Sequence, residues 1–142
     1  MYSTDPRQPG ENELLLPAFE DLFNDNGVDW YFAGHLHRYE RDRPTYKNAT
    51  VQSQIDEHNY HFNANAPLYI TCGGAGNREG HSPVEDPYEY TVIQSTTFGF
   101  GHFHVYNKTH THYQQYDSAT QSLIDDVWLV KDRPRYEFPQ DN

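Results

Sequence analysis

Two histidines one residue apart, His35 and His37, follow a short aromatic run and a glycine in Val28-Asp29-Trp30-Tyr31-Phe32-Ala33-Gly34-His35-Leu36-His37. Neutral imidazole is a common ligand for divalent transition metals. In extended backbone, residues i and i+2 project to the same side. Two such rings can serve two neighbouring ions, held about 3.5–4 Å apart in two-metal hydrolases, with one ring for each ion. Gly34 lets the backbone turn closely beneath such a site. The spacing alone is not specific, because His-x-His recurs as His102-Phe103-His104 and His110-Thr111-His112. Those pairs sit in alternating sequence, His102 and His104 with Phe98, Phe100 and Tyr106, and His110 and His112 among Thr109, Thr111 and Tyr113. Half-buried, hydrogen-bonded imidazoles in a sheet explain them. A mononuclear site on His35 and His37 would have to recruit His58, His61 or His81 from loops.

The elements that would position the first pair are legible. Residues 1–12 read as loop. From Glu13 to Asn26 the residues Leu15, Leu16, Phe19, Leu22 and Phe23 follow helical spacing, with Pro17 expected in the first turn and Gly27 as the stop. Val28–Ala33 is a buried strand leading straight into the motif, and helix, turn, strand and motif together make an α/β unit. Glu40 and Arg41 read as a charged pair that fixes a loop rather than as catalytic groups. The stretch 46–65 reads as a long loop with a short strand, followed by a strand Leu68–Cys72 and the glycine-rich Gly73-Gly74-Ala75-Gly76-Asn77. Turn chemistry accounts for these glycines, since no helix follows them to make a phosphate cradle. A second loop spans 78–89, a hairpin pairs Phe98–Tyr106 with Thr109–Tyr116, a strand covers Leu123–Lys131, and the last ten residues form a tail.

With 142 residues the chain has the size of one domain or part of one, and 12 Tyr, 8 Phe and 9 each of Pro and Gly favour strands and turns. Ten basic against 21 acidic residues give a formal charge of −11, which disfavours nucleic acid as a partner. Protonating the nine histidines at mildly acidic pH would cancel most of that charge. Cys72, the only cysteine, excludes an internal disulfide and reads as a small buried thiol. Asn48-Ala49-Thr50 and Asn107-Lys108-Thr109 are sequons for a chain that enters a secretory pathway. No run reaches the eighteen or so apolar residues of a membrane helix, and Met1–Pro6 has no signal-peptide character.

The block from Val28 through Gly34-His35-Leu36-His37 to Tyr39-Glu40-Arg41 resembles the last metal-binding block of the purple acid phosphatases. The likeness continues, in the family's order, through Ala66-Pro67-Leu68-Tyr69-Ile70 and its glycine-rich loop, Phe98-Gly99-Phe100-Gly101, Asn107-Lys108-Thr109-His110-Thr111-His112 and Asp125-Asp126-Val127-Trp128-Leu129-Val130. It implies the strand-rich C-terminal half of a four-layer α/β/β/α metallophosphoesterase sandwich. Residues 1–45 would hold the helix, strand and metal motif, 46–132 the C-terminal region, and 133–142 the tail. It also implies a binuclear centre of Fe(III) with Zn, Mn or Fe(II) that hydrolyses phosphate monoesters at acidic pH, in a secreted or lysosomal protein.

By similarity His35 would bind the divalent ion and His37 the ferric ion, the other ligands lying earlier in the family's sequence. Met1-Tyr2-Ser3 is similar to the stretch just after the preceding histidine ligand, so the sequence reads as a C-terminal portion that begins inside a motif and is inactive alone. Plant members carry histidines near the leaving group a few residues further on; Thr4–Gly10 has none, which leaves the general acid unassigned and brings the chain nearer the animal long forms. The alternative is a non-catalytic β-rich binding module. A lone half sandwich should have unpaired strand edges and an unpaired apolar face.

Overall fold

In the computed structural model, residues 2–4, 9–51, 53 and 59–132 are described; the expected tail at 133–142 and His58 lie outside them. Helix α1 spans Pro9–Asp25, so it begins four residues before the expected start and turns part of the anticipated loop into helix. Proline suits a first helical position, where its missing N–H has no partner to lose. Pro17 consequently falls in the helix interior rather than in the first turn. Gly27 ends the helix as expected, in left-handed backbone with φ 67°, and Val28 N–H closes onto the Phe23 carbonyl at 2.9 Å.

Ten strands follow: β1 Trp30–Ala33, β2 Tyr39–Asp42, β3 Thr45–Tyr46, β4 Ala49–Thr50, β5 Tyr60–Phe62, β6 Leu68–Cys72, β7 Thr91–Ser95, β8 Gly99–Val105, β9 His110–Asp117 and β10 Leu123–Val130. One sheet has the order β1-β6-β2-β7, with β1 parallel to β6 and the other pairs antiparallel. A second has the order β5-β10-β9-β8, in which β5 runs parallel to β10 and β8-β9-β10 form an antiparallel meander. The expected β6, the β8–β9 hairpin and β10 are present, while β2 and the small β3–β4 hairpin add order where loop was expected, and β7 falls between the expected loop 78–89 and the hairpin, where no element was assigned.

The two sheets pack face to face around Tyr39, Ile70, Tyr113 and Val127, with Trp30, Cys72, Ile93 and Ile124 at the margins. Cys72 is half-buried rather than buried. On the other face of the first sheet, Leu15, Leu16 and Phe23 of α1 pack with Tyr31 and Tyr90 on Tyr2 and Tyr69. Phe19 and Leu22, expected on the same face, lie largely exposed. The described layers are therefore helix, sheet, sheet.

The strand β2 departs most from the sequence reading. All four of Tyr39, Glu40, Arg41 and Asp42 are buried, because β2 is an interior strand covered on both faces. Alternation sends Tyr39 and Arg41 toward the second sheet. There Asp125 of β10 accepts hydrogen bonds from Tyr39 Oη (2.6 Å), Arg41 Nε (2.6 Å) and Arg41 Nη2 (3.0 Å). Glu40 faces the other way, toward Arg38 and Thr4. A buried charge persists only when paired and hydrogen-bonded, so the expected loop-fixing pair is in fact the junction between layers.

His61 of β5 lies beside this junction, 1% exposed, its Nδ1 2.6 Å from Ser53 Oγ. Burial, reinforced by the Arg41 and Arg43 charges, pushes its imidazole down from 6.5 to about 4. Asp42 is displaced the opposite way: burial, then the Glu40 charge, holds its carboxyl well above the usual range.

Two outcomes follow from these contacts. Replacing Asp125 by alanine strands the Arg41 charge and should cost about 3–5 kcal/mol in urea unfolding; a loss no larger than that of a surface substitution would show that the sheets do not depend on it. For His61, the unfolded chain takes up a proton below 6.5 while the folded chain resists until about 4. Its contribution is therefore intact above that window and falls by up to about 1.4 kcal/mol per pH unit as pH drops through it. The raised Asp42 carboxyl opposes this trend, so the informative quantity is a difference. His61→Asn should flatten the acid limb of stability against pH relative to the unsubstituted chain, and parallel limbs would refute the assignment.

Candidate metal centre

Strand β1 ends at Ala33 and the chain then folds tightly twice. The Leu36 amide bonds to the Gly34 carbonyl at 2.9 Å and the Arg38 amide to the Leu36 carbonyl at 2.8 Å, two successive three-residue turns. His35, at the centre of the first, has φ 72°, a left-handed value uncommon outside glycine and asparagine. The pair thus departs from the extended geometry that would have set both rings on one side of a strand. The turns instead bring His35 and His37 to the wall of one open cleft of about 390 Å³, past the C-terminal end of β1. Backbone strain of this kind, costing about 1–3 kcal/mol, concentrates at functional sites.

The glycine-rich turn after β6 explains how the motif is held. A Cβ at Gly73 would come within 2.0 Å of the Leu36 carbonyl oxygen and 3.2 Å of the His35 nitrogen, so only glycine lets this backbone pass beneath the motif. Gly73 N–H also donates to the Arg38 carbonyl at 3.2 Å. Close approach, beyond turn chemistry, is the reason for that glycine.

The opposite wall comes from the loop after that turn: Glu79, Gly80, His81 and Ser82. His37 Nδ1 lies 3.2 Å from the Gly80 carbonyl oxygen. A carbonyl only accepts, so in the neutral ring this contact puts the His37 proton on Nδ1 and leaves the lone pair on Nε2. His81 Nδ1 meets the His37 carbonyl in the same way at 3.3 Å, and its ring packs on Phe98 at 4.2 Å between centroids. Glu79 is largely exposed at the rim, 3.9 Å from His37 Nδ1, and adds negative charge beside the cleft. Of this wall the sequence offers only His81, as a recruit from a loop; no spacing rule ties the rest of residues 79–82 to a motif about 45 positions earlier.

The other described histidines are not brought to the cleft. His102 and His104 are exposed on β8 rather than half-buried, in edge contact at 4.7 Å. His112 is buried on β9, bonded through Nε2 to Asp126 at 2.8 Å and stacked on Trp128, as a structural imidazole should be. Asn48 and Asn107 occupy exposed hairpin tips. Asn48, with Lys47, has the positive φ of a tight two-residue turn. Among the described residues no group of three or more His, Cys, Asp or Glu is arranged to hold a metal ion. The donor chemistry of His35 and His37, two imidazoles on one cleft, fits a share of a metal site.

A family model for iron/zinc purple acid phosphatase-like protein C matches residues 66–126. Acid phosphatase type 7 of Mus musculus is 34% identical over 118 residues, covering 82% of this chain and 26% of its own length. Purple acid phosphatase 5 of Arabidopsis thaliana is 33% identical over 137 residues, covering 92% of this chain and 33% of its own. The chain thus spans about a quarter to a third of these relatives. A purple acid phosphatase structure from yellow lupin seeds shares the fold, with a TM-score of 0.78 at 20% identity over 93% of this chain and 23% of that one.

Gly73→Ala tests the cradle. The added methyl meets backbone rather than a yielding side chain, so the His35–His37 turns should shift and stability should fall by about 1–3 kcal/mol. Amide shifts at 35–38 in NMR spectra should move more than those on β9 and β10, and an undisturbed 35–38 segment would contradict the packing account.

Proposed function

Because the chain belongs to the purple acid phosphatase family, in the C-terminal region of its catalytic domain, we propose that it contributes the final metal-binding block of a phosphomonoesterase, with His35 and His37 as ligands. The observation that carries this reading is the convergence of both imidazoles on one cleft through a strained turn braced by Gly73. In this reading residues 1–45 bring the motif and 46–132 complete the sandwich.

His35 and His37 would hold their share of a binuclear pair of Fe(III) with Zn, Mn or Fe(II), which would supply activation of water and offset charge on phosphoryl oxygens. This chain's part is to present ligand nitrogens without reorganisation. For His37 the Gly80 carbonyl holds the Nδ1 proton, so Nε2 would be its ligand nitrogen. His35, in the first turn, would serve the other ion. The substrate is a phosphate monoester bound from the open side of the cleft, and the strongly acidic surface speaks against nucleic acid. No described helix is long and apolar enough to cross a membrane. Asn48 and Asn107 are glycosylated at their exposed tips, in a secreted or lysosomal protein.

In the complete enzyme that carries this chain, His35→Ala and His37→Ala should each reduce phosphomonoester hydrolysis at mildly acidic pH by at least about 100-fold, with loss of bound metal by elemental analysis. Full activity and metal content in both variants would remove the ligand assignment. A complete polypeptide that folds with neither metal nor activity would favour the binding-module alternative.

A further inference from the structure

Arg38 lies between the ligand candidate His37 and the buried strand β2, and it is 0% exposed. Its Nη2 donates to Glu40 Oε2 at 2.7 Å and to Thr4 Oγ1 at 2.6 Å, and its Nη1 donates to the Pro83 carbonyl. Glu40 also accepts from the Thr4 amide at 2.9 Å and the Thr4 hydroxyl at 2.7 Å. The Pro83 end of this network is the loop that forms the far wall of the cleft. That loop is stitched to His37 directly, since His37 N–H donates to Ser82 Oγ at 3.0 Å and Ser82 N–H to the His37 carbonyl at 3.1 Å. One guanidinium therefore ties together residues 2–4, the end of the His motif and the 79–83 loop.

We propose that Arg38 is a positioning residue for His37: by seating the 79–83 loop through Pro83, it places the Gly80 carbonyl where it fixes the proton of His37 on Nδ1 and presents Nε2 outward. Three acceptors lie around one planar fork, an arrangement a lysine ammonium cannot reproduce from a single point. The bond that sets the tautomer is made by a neutral carbonyl, so the effect is one of aim and not of charge. The relevance to metal rests on the reading of His37 as a ligand; the effect on the ring does not.

The experiment uses the full chain with nitrogen-15 labelled histidines. Arg38→Met combined with Glu40→Gln removes both buried charges together, which avoids stranding one of them; Ser82→Ala is a milder probe of the same link. In metal-free NMR spectra, the unsubstituted chain should show His37 as the Nδ1–H tautomer. Both variants should shift it toward a mixture while His112, on the other sheet, stays unchanged. Zinc titrated in the same spectra should bind about 10–100-fold more weakly in the variants. A folded double variant that keeps the His37 tautomer of the unsubstituted chain overturns the proposal, and if the double variant does not fold, an unchanged tautomer in Ser82→Ala does so. An unsubstituted chain that takes up no zinc counts against the metal reading, while the tautomer comparison still decides the role of Arg38.

Discussion

The sandwich depends on a carboxylate that belongs to one sheet and is satisfied by the other. Asp125 on β10 takes three hydrogen bonds from Tyr39 and Arg41 on β2, beside one from the neighbouring Asp126 amide, with Tyr39, Arg41 and Asp125 all buried. Such a pair is weak evidence for net stability, because desolvation consumes much of its attraction. It is a strict geometric demand, however. Slipping β10 by one residue would turn Asp125 outward and aim Asp126, which now serves His112 and Gln114, at the core. The apolar contacts among Ile70, Tyr113 and Val127 tolerate small shifts; the ionic junction does not.

The same strand carries the junction's opposite face. Glu40 and Arg38 repeat the device on the helix side of the first sheet, where the carboxylate holds Thr4 and the guanidinium holds the loop beside the histidines. Structure and chemistry are therefore joined within five residues. His37 lines the cleft, Arg38 and Glu40 anchor its surroundings, and Tyr39 and Arg41 lock the sheets. A motif read only for its ligands misses that most of its length is scaffold.

This explains what was legible in the sequence and what was not. The apolar strands β1 and β6 and the β8–β9 hairpin announce themselves by residue type and alternation, and Gly27 announces the helix end. Tyr39-Glu40-Arg41-Asp42 does not, because sequence patterning equates charge with surface, and an interior strand whose Arg41 is paired across the layers and whose Glu40 is paired with Arg38 looks polar. The cleft was half legible. His35 and His37 were identified, but their γ-turn geometry follows from the backbone of Gly73, nearly forty residues away, and the 79–82 wall from the reach of Arg38. Neither has a local signature. Helix α1 was misplaced at its start because Pro9 and Gly10 resemble loop residues, although proline is well suited to a helix's first position.

The topology also fixes an order of events for a chain made from one end to the other. The meander β8-β9-β10 joins neighbours in sequence and can close as soon as it is made, whereas the first sheet pairs β1 with β6 and β2 with β7 across long intervening segments. Arg41 and its partner Asp125 are 84 residues apart. During synthesis the most polar strand of the core therefore emerges long before the carboxylate that makes its burial tolerable. Until β10 appears, β2 belongs in water, and the first sheet has to wait for the second.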